Sequence, residues 1–180
     1  MNIFELLGQL VQWFGKLIPR LEIVPTTHGA IKFVRGKRMV AGGPGLWVYL
    51  PLVTLFLQVP TTTQTYNLAT QTLTTKDGKS VKFSMVVAFR VTDVELAATK
   101  ALDFMDRVQD NSLKSATKIV HTHTFEYLRD NLTEKVEKQL TTECRKYLKP
   151  FGIYVDCAFA SDVAEATVLC ISGDLGSAAV

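Results

Sequence analysis

Residues 65–93 read TYNLATQTLTTKDGKSVKFSMVVAFRVTD, and their alternation decides the fold. Asp77-Gly78 supplies the positive φ angles that a tight turn wants. Beyond it, Val81, Phe83, Met85, Val87, Phe89 and Val91 alternate with Lys82, Ser84, Val86, Ala88 and Arg90. Successive side chains of a strand point to opposite faces, so the first set reads as a core face and the second as its reverse. The stretch is a β-hairpin with one buried face.

Upstream the pattern stays β. EIVPT, then GAIKFVRGK with its glycine-bearing turn, then the proline-punctuated WVYLPLVTLFLQV imply several short strands. Downstream it becomes helical. Asp93 is a fitting N-cap for VELAATKAL, and the helical pattern runs on with breaks to about Arg129. Asn131 and Glu134 form an N-x-x-E capping pair for a further helix. Leu132, Val136, Leu140 and Cys144 recur along it at every fourth residue, and Pro150 with Gly152 ends it after Lys149. IYVDCAFASDV is the closing strand, with Ile153, Val155, Cys157 and Phe159 expected on one face. A β-rich first half, two or three helices and a final strand make an α+β protein rather than a doubly wound α/β one.

The chain of 180 residues is long enough for one core, or for two small lobes sharing one. Its formal charge of +3 is too small to call for nucleic acid, but it is unevenly spread: residues 1–60 carry +4 and the remainder −1. The basic end is also the apolar end. No charged side chain occurs between Met39 and Thr75, and Leu46 to Leu57, LWVYLPLVTLFL, is apolar apart from Thr54. Three cysteines without C-x-x-C spacing indicate neither a disulfide framework nor a zinc knuckle, which suits a reducing, cytoplasmic setting. The N-terminus lacks a basic n-region and a small-residue cleavage site, so no removable leader is expected.

Placed at steps of about 100°, NIFELLGQLVQWFGKLI is an amphipathic helix. Ile3, Phe4, Leu6, Leu7, Leu10, Val11, Trp13, Phe14, Leu17 and Ile18 share one half-circle, and Pro19 ends the segment. A spanning helix needs about 20 mostly apolar residues, whereas polar ones recur here at every turn, so the segment is expected to lie in a bilayer interface. Leu46–Leu57 is too short to span and carries Pro51 at its middle, so it reads as strand or shallow re-entrant loop. The residues expected to insert are Ile3, Phe4, Leu7, Leu10, Val11, Trp13, Phe14, Leu17, Ile18, Trp47, Tyr49, Leu52 and Phe56. Lys16, Arg20, Lys32, Arg35, Lys37 and Arg38 are expected to meet anionic lipid.

Catalytic signals are weak. His121, His123 and Glu126 invite a metal reading, but helical residues two apart point about 200° away from each other, and zinc needs three or four convergent ligands. Cys144 and Cys157 read as small core hydrophobes. There is no G-x-S-x-G elbow, P-loop or G-x-G-x-x-G, and the GGPG of Gly42–Gly45 lacks the Lys and following helix that phosphate binding uses. No metal, cofactor or enzymatic activity is expected.

In their order, GAIKFVRGK, GGPGLWVYLPLV, TTKDGKSVKFSMVVAFRVTD and KPFGIYVDCAFASDV resemble the SPFH (band 7) superfamily of stomatins, prohibitins, flotillins and bacterial Hfl proteins, over about Leu21 to Val163. The resemblance implies a domain held on one leaflet by its N-terminal region, monotopic and at the cytoplasmic face. It further implies homo-oligomerisation into arcs, rings or cages that confine lipid and proteins, with no catalytic residues. A regulatory partner of a membrane protease or channel is the rival reading, and a soluble ligand-binding or enzyme domain a more distant one. The expected organisation is an interfacial helix over 1–20, a β-rich subdomain over 21–92, an α/β subdomain over 93–163 and a short segment over 164–180. That last segment stands where the family continues into a long Ala/Glu-rich helix, which argues against a closed cage with long helical walls.

Overall fold

The computed structural model describes residues 18–100 and 103–166. Eight strands are arranged as three antiparallel sheets. β1 (Arg20–Val24) pairs with β4 (Gly45–Tyr49) as a two-stranded ribbon; β2 (His28–Val34) lies between β3 (Arg38–Gly42) and β5 (Thr54–Pro60); β7 (Ser80–Val91) lies between β6 (Gln64–Thr74) and β8 (Ile153–Glu165). Between β7 and β8 come α1 (Val94–Lys100), α2 (Phe104–Thr122), α3 (Phe125–Asp130) and α4 (Glu137–Leu148). The order is the α+β one expected. The third sheet draws strands from both sides of residues 92–93, because β8 returns to pair with β7 along its whole length.

The core follows from the alternation of β7. Val81, Phe83, Met85, Val87 and Phe89 are fully buried under α2, α3 and α4. From α4 and the turn before it, Val136, Leu140, Cys144 and Leu148 supply the opposing row at i+4 spacing. A smaller cluster of Val59, Val91 and Ala97 fixes α1 across the end of the β2–β5 sheet.

Three local expectations are corrected. At the hairpin tip only Gly78 has a positive φ, of 80°. Thr75 O accepts from Gly78 N–H, and Thr75 N–H donates to Lys79 O, so the loop is longer than a two-residue turn. Asn131 does not cap the next helix. Its Nδ2 donates back to Tyr127 O, and the chain passes through one π-helical turn, Leu132–Val136, in which Val136 N–H reaches Asn131 O. Cys157 and Phe159 do not share the face of Ile153 and Val155 either. β8 slips register against β7 between Val155 and Cys157, so Ala158 and Ala160 turn inward while Cys157 and Phe159 are exposed.

The bulge is held from outside. Thr141 Oγ1 accepts from Ala158 N–H at 3.0 Å and donates to Ala158 O at 3.3 Å, while Arg145 donates through Nε to Val155 O at 2.7 Å and through Nη2 to Asp156 O at 2.8 Å. Side chains of α4 therefore occupy backbone groups of β8 that would otherwise form an open edge. α4 ends at Leu148, one residue before the end expected at Lys149, and Gly152, at φ 71°, makes the left-handed exit from the 3-10 turn Lys149–Phe151 that follows.

Candidate membrane-facing surface

Apolar residues of the N-terminal strands are not all inside. Register pairs Leu21 with Val48 and Ile23 with Leu46, which puts these four on one face of the β1–β4 ribbon. They are 68%, 50%, 76% and 67% exposed. The opposite face carries Glu22 beside Trp47, and Glu22 Oε1 accepts from Gln58 Nε2 of β5 at 2.9 Å, which fixes that face inward. Burying the one acid of the ribbon against a partner turns its leucines and isoleucine to the outside.

Further exposed apolar side chains follow along the chain. Leu50, Leu52 and Val53 in the β4–β5 turn are exposed, as are Leu55 and Leu57 on the far face of β5. Of the twelve exposed large apolar side chains among the described residues, ten lie between Ile18 and Leu57. That concentration exceeds the scattered exposure normal for a soluble surface. An open groove of 840 Å³ runs between the tip and α1, lined by Phe33, Pro51, Leu52, Leu55, Leu57 and Ala98 among others.

The structure distributes the expected residues unevenly. Ile3, Phe4, Leu7, Leu10, Val11, Trp13, Phe14, Leu17 and Lys16, with the helix that would carry them, lie outside the described residues. Ile18 and Leu52 are exposed. Trp47, Tyr49 and Phe56 are half-buried against one another: Tyr49 and Phe56 stack at 5.0 Å, and Trp47 meets Phe56 at 5.9 Å. Lys32 joins them, its Nζ 5.8 Å from the Trp47 ring and 3.5 Å from Val48 O. Arg20, Arg35 and Lys37 are exposed, and Arg35 N–H donates to Val53 O, which brings the β2–β3 turn beside the apolar tip. Arg38 begins β3.

The exposed set thus includes Leu21, Ile23, Leu46, Val48, Leu55 and Leu57, for which aromatic residues had been expected. Alternation around Glu22 carried a usable signal. Leu21 and Ile23 flank the acid, so the face opposite Glu22 had to be apolar.

Elsewhere His123 and Cys144 have structural surroundings. His121 is exposed, whereas His123 is half-buried, 2.9 Å from Gln139 Oε1 and stacked on Tyr127. Burial pushes the Cys144 thiol up, the reverse of what a thiolate nucleophile requires. Among the described residues no helix is long and apolar enough to cross a membrane.

This architecture is that of a band 7 domain: the chain belongs to the SPFH domain / Band 7 family, whose pattern matches residues 22–164. Among curated proteins it is 27% identical over 160 residues to an uncharacterized protein of Archaeoglobus fulgidus, covering 87% of this chain and 63% of that one. It is 29% identical over 150 residues to a stomatin homolog of Pyrococcus horikoshii, covering 82% and 55%. It is 28% identical over 146 residues to human stomatin-like protein 1, covering 80% and 35%. The chain therefore spans between about a third and just under two thirds of the length of these relatives. Proteins of this family are in general not enzymes.

Proposed function

We propose that the chain is a membrane-associated scaffold, resting on one leaflet at the cytoplasmic face and working as a homo-oligomer that organises a patch of lipid and protein. The observation that carries this reading is the concentration of ten exposed large apolar side chains between Ile18 and Leu57. Membership of a family that includes stomatin-like proteins supports the membrane-associated scaffold role in general.

The energetics are consistent with shallow attachment. Each large apolar side chain withdrawn from water is worth at most about 1.5–3 kcal/mol. Each of Arg20, Arg35 and Lys37 adds about 1 kcal/mol near an anionic leaflet. One copy binds reversibly on these terms. An oligomer multiplies the anchors, so assembly and attachment reinforce each other. Function then comes from the geometry of the array.

Vesicle co-sedimentation of the full chain, followed by electron microscopy of the pellet, tests the reading. Regular assemblies on vesicles, lost when Leu21, Ile23, Leu46 and Val48 are replaced by Thr, would support it. A full chain that stays monomeric and in the supernatant would sink it. Regulation of a membrane protease or channel is a second reading, favoured by a charged cleft on the other lobe.

A further inference from the structure

The end of α4 and the start of β8 enclose a cleft of 440 Å³ that the scaffold reading leaves unused. Ile153, Tyr154, Thr92 and Thr142 line its interior, and Arg145, Lys146 and Lys149 bring three cations to it without a lining carboxylate. Arg90 approaches from β7, so two guanidinium groups meet the Tyr154 ring, Arg90 Cζ at 5.2 Å and Arg145 Cζ at 5.0 Å from its centroid. Asp156 answers this charge in part: its Oδ1 is 3.6 Å from Arg90 Nε, and its Oδ2 accepts from Thr63 Oγ1 at 3.1 Å. The lining residues themselves carry +3, while Asp93, next to Thr92, accepts from Leu96 N–H through Oδ1.

Helix chemistry explains part of this. Cations in a last turn offset the negative end of the helix dipole, but that end amounts to roughly half a charge, and three full charges exceed it. Arg145 is also fixed in place. Two of its five N–H groups are committed to Val155 O and Asp156 O, which leaves donors for a ligand on a side chain already immobilised. Lys146 and Lys149 are exposed and pair with no carboxylate among the described residues.

We propose that this cleft docks an acidic segment of a partner protein, with a carboxylate held by Arg145, Lys146 and Lys149 and an adjacent apolar side chain laid against the exposed part of Tyr154. The exposed aromatic surface of Tyr154 suits an organic body better than a bare phosphate, and the volume falls within the roughly 300–1,000 Å³ usual for binding sites. No lining residue belongs to the apolar surface between Ile18 and Leu57, so the cleft is a separate feature of the molecule. The inference gives the regulatory reading its partner chemistry and is independent of membrane attachment.

The test uses the full chain in neutral detergent micelles and a fluorescein-labelled Glu-Asp-Phe-Glu-Asp peptide, read by anisotropy without lipid. Saturable binding is expected, about tenfold weaker when salt is raised from about 50 to about 200 mM. The K146E/K149E variant should lose at least about tenfold in affinity, and K146Q/K149Q, which keeps side-chain length, a smaller factor in the same direction. K82E/K100E, with the same change in net charge at other exposed lysines, should stay within about twofold. Three results would overturn the proposal: no saturable binding, equal weakening by K82E/K100E, or displacement of the peptide by inorganic phosphate or by the soluble headgroup glycerophosphoserine at equal charge concentration. None of them bears on whether the chain sediments with vesicles, so the scaffold reading stands or falls separately.

Discussion

Strand β7 and the pair β4–β5 are both apolar runs, and they meet opposite fates. In β7 every second residue is sealed beneath α2, α3 and α4, and the strand has neighbours on both edges. Among the described residues β4 has one neighbour, in a ribbon whose outer face none of them covers, and on its Leu55–Leu57 face β5 is covered by α1 only toward Val59. Equal hydropathy thus became a core where helices were available and an apolar exterior where they were not. A two-stranded ribbon is marginal in water, so this one depends on its inward face against β2–β5.

The contrast breaks most sharply at single side chains. Phe83→Ala should cost about 3–5 kcal/mol in urea unfolding, because the ring leaves a cavity in a fully enclosed site. The pair I23T/L46T should change stability by no more than about 0.5 kcal/mol per site, since those side chains already face outward and Thr keeps β propensity. Its effect should appear in vesicle partitioning, as a loss of up to about 1.5–3 kcal/mol per side chain. If I23T/L46T destabilised the chain as Phe83→Ala does, the ribbon face would be covered in solution by another copy and the contrast would disappear.

Legibility in the sequence follows the same division. The β7 alternation and the Val136–Leu140–Cys144 row were readable because polar residues mark the opposite face of each. In β4 both faces are apolar, so parity alone cannot say whether Trp47 or Leu46 turns outward. Contact between Glu22 and Gln58, separated by 36 residues, makes that choice. Likewise Cys157 and Phe159 were misassigned because the bulge in β8 depends on Thr141 and Arg145, which are not its neighbours in sequence. Asn131 looked like a cap from its spacing to Glu134, but it is spent on the helix before it. Of the surface proposed to meet lipid, the region was readable from its missing charges, whereas the face was not.

Thr141→Val tests whether α4 protects the β8 edge. Ala158 N–H would lose its acceptor, at a cost of about 1–3 kcal/mol, and amide exchange at Ala158 should accelerate. Unchanged exchange at Ala158 would mean that Arg145 alone holds the bulge. In the N-terminal ribbon no side chain among the described residues clamps the backbone of Leu21 in this way, so exchange there should be fast in the unmodified chain.

The smallest effect contrasts the two turns. Leu50–Val53 is an apolar turn whose leucines and valine point outward, whereas Thr75–Gly78 is tied to the helical layer by polar groups. Asp77 accepts from Thr75 Oγ1 and from Phe125 N–H, and Lys76 N–H donates to His123 O. The Thr75 hydrogen bond, with backbone N–H groups and Lys79 assisting, holds the Asp77 carboxyl below its ordinary value of 3.8 against a partial desolvation that raises it. A folded-state value below the unfolded one means that ionised Asp77 contributes stability above the unfolded value, lost as pH falls through the folded one. Wild type should therefore exceed D77N by a constant margin from neutral pH down to the ordinary carboxylate range, and the margin should shrink only below it. Because the carboxyl is exposed, the margin should be small and should weaken with salt. A margin that persisted unchanged at the acid end would mean that shape and hydrogen bonding at the turn, rather than charge, tie the hairpin to α3.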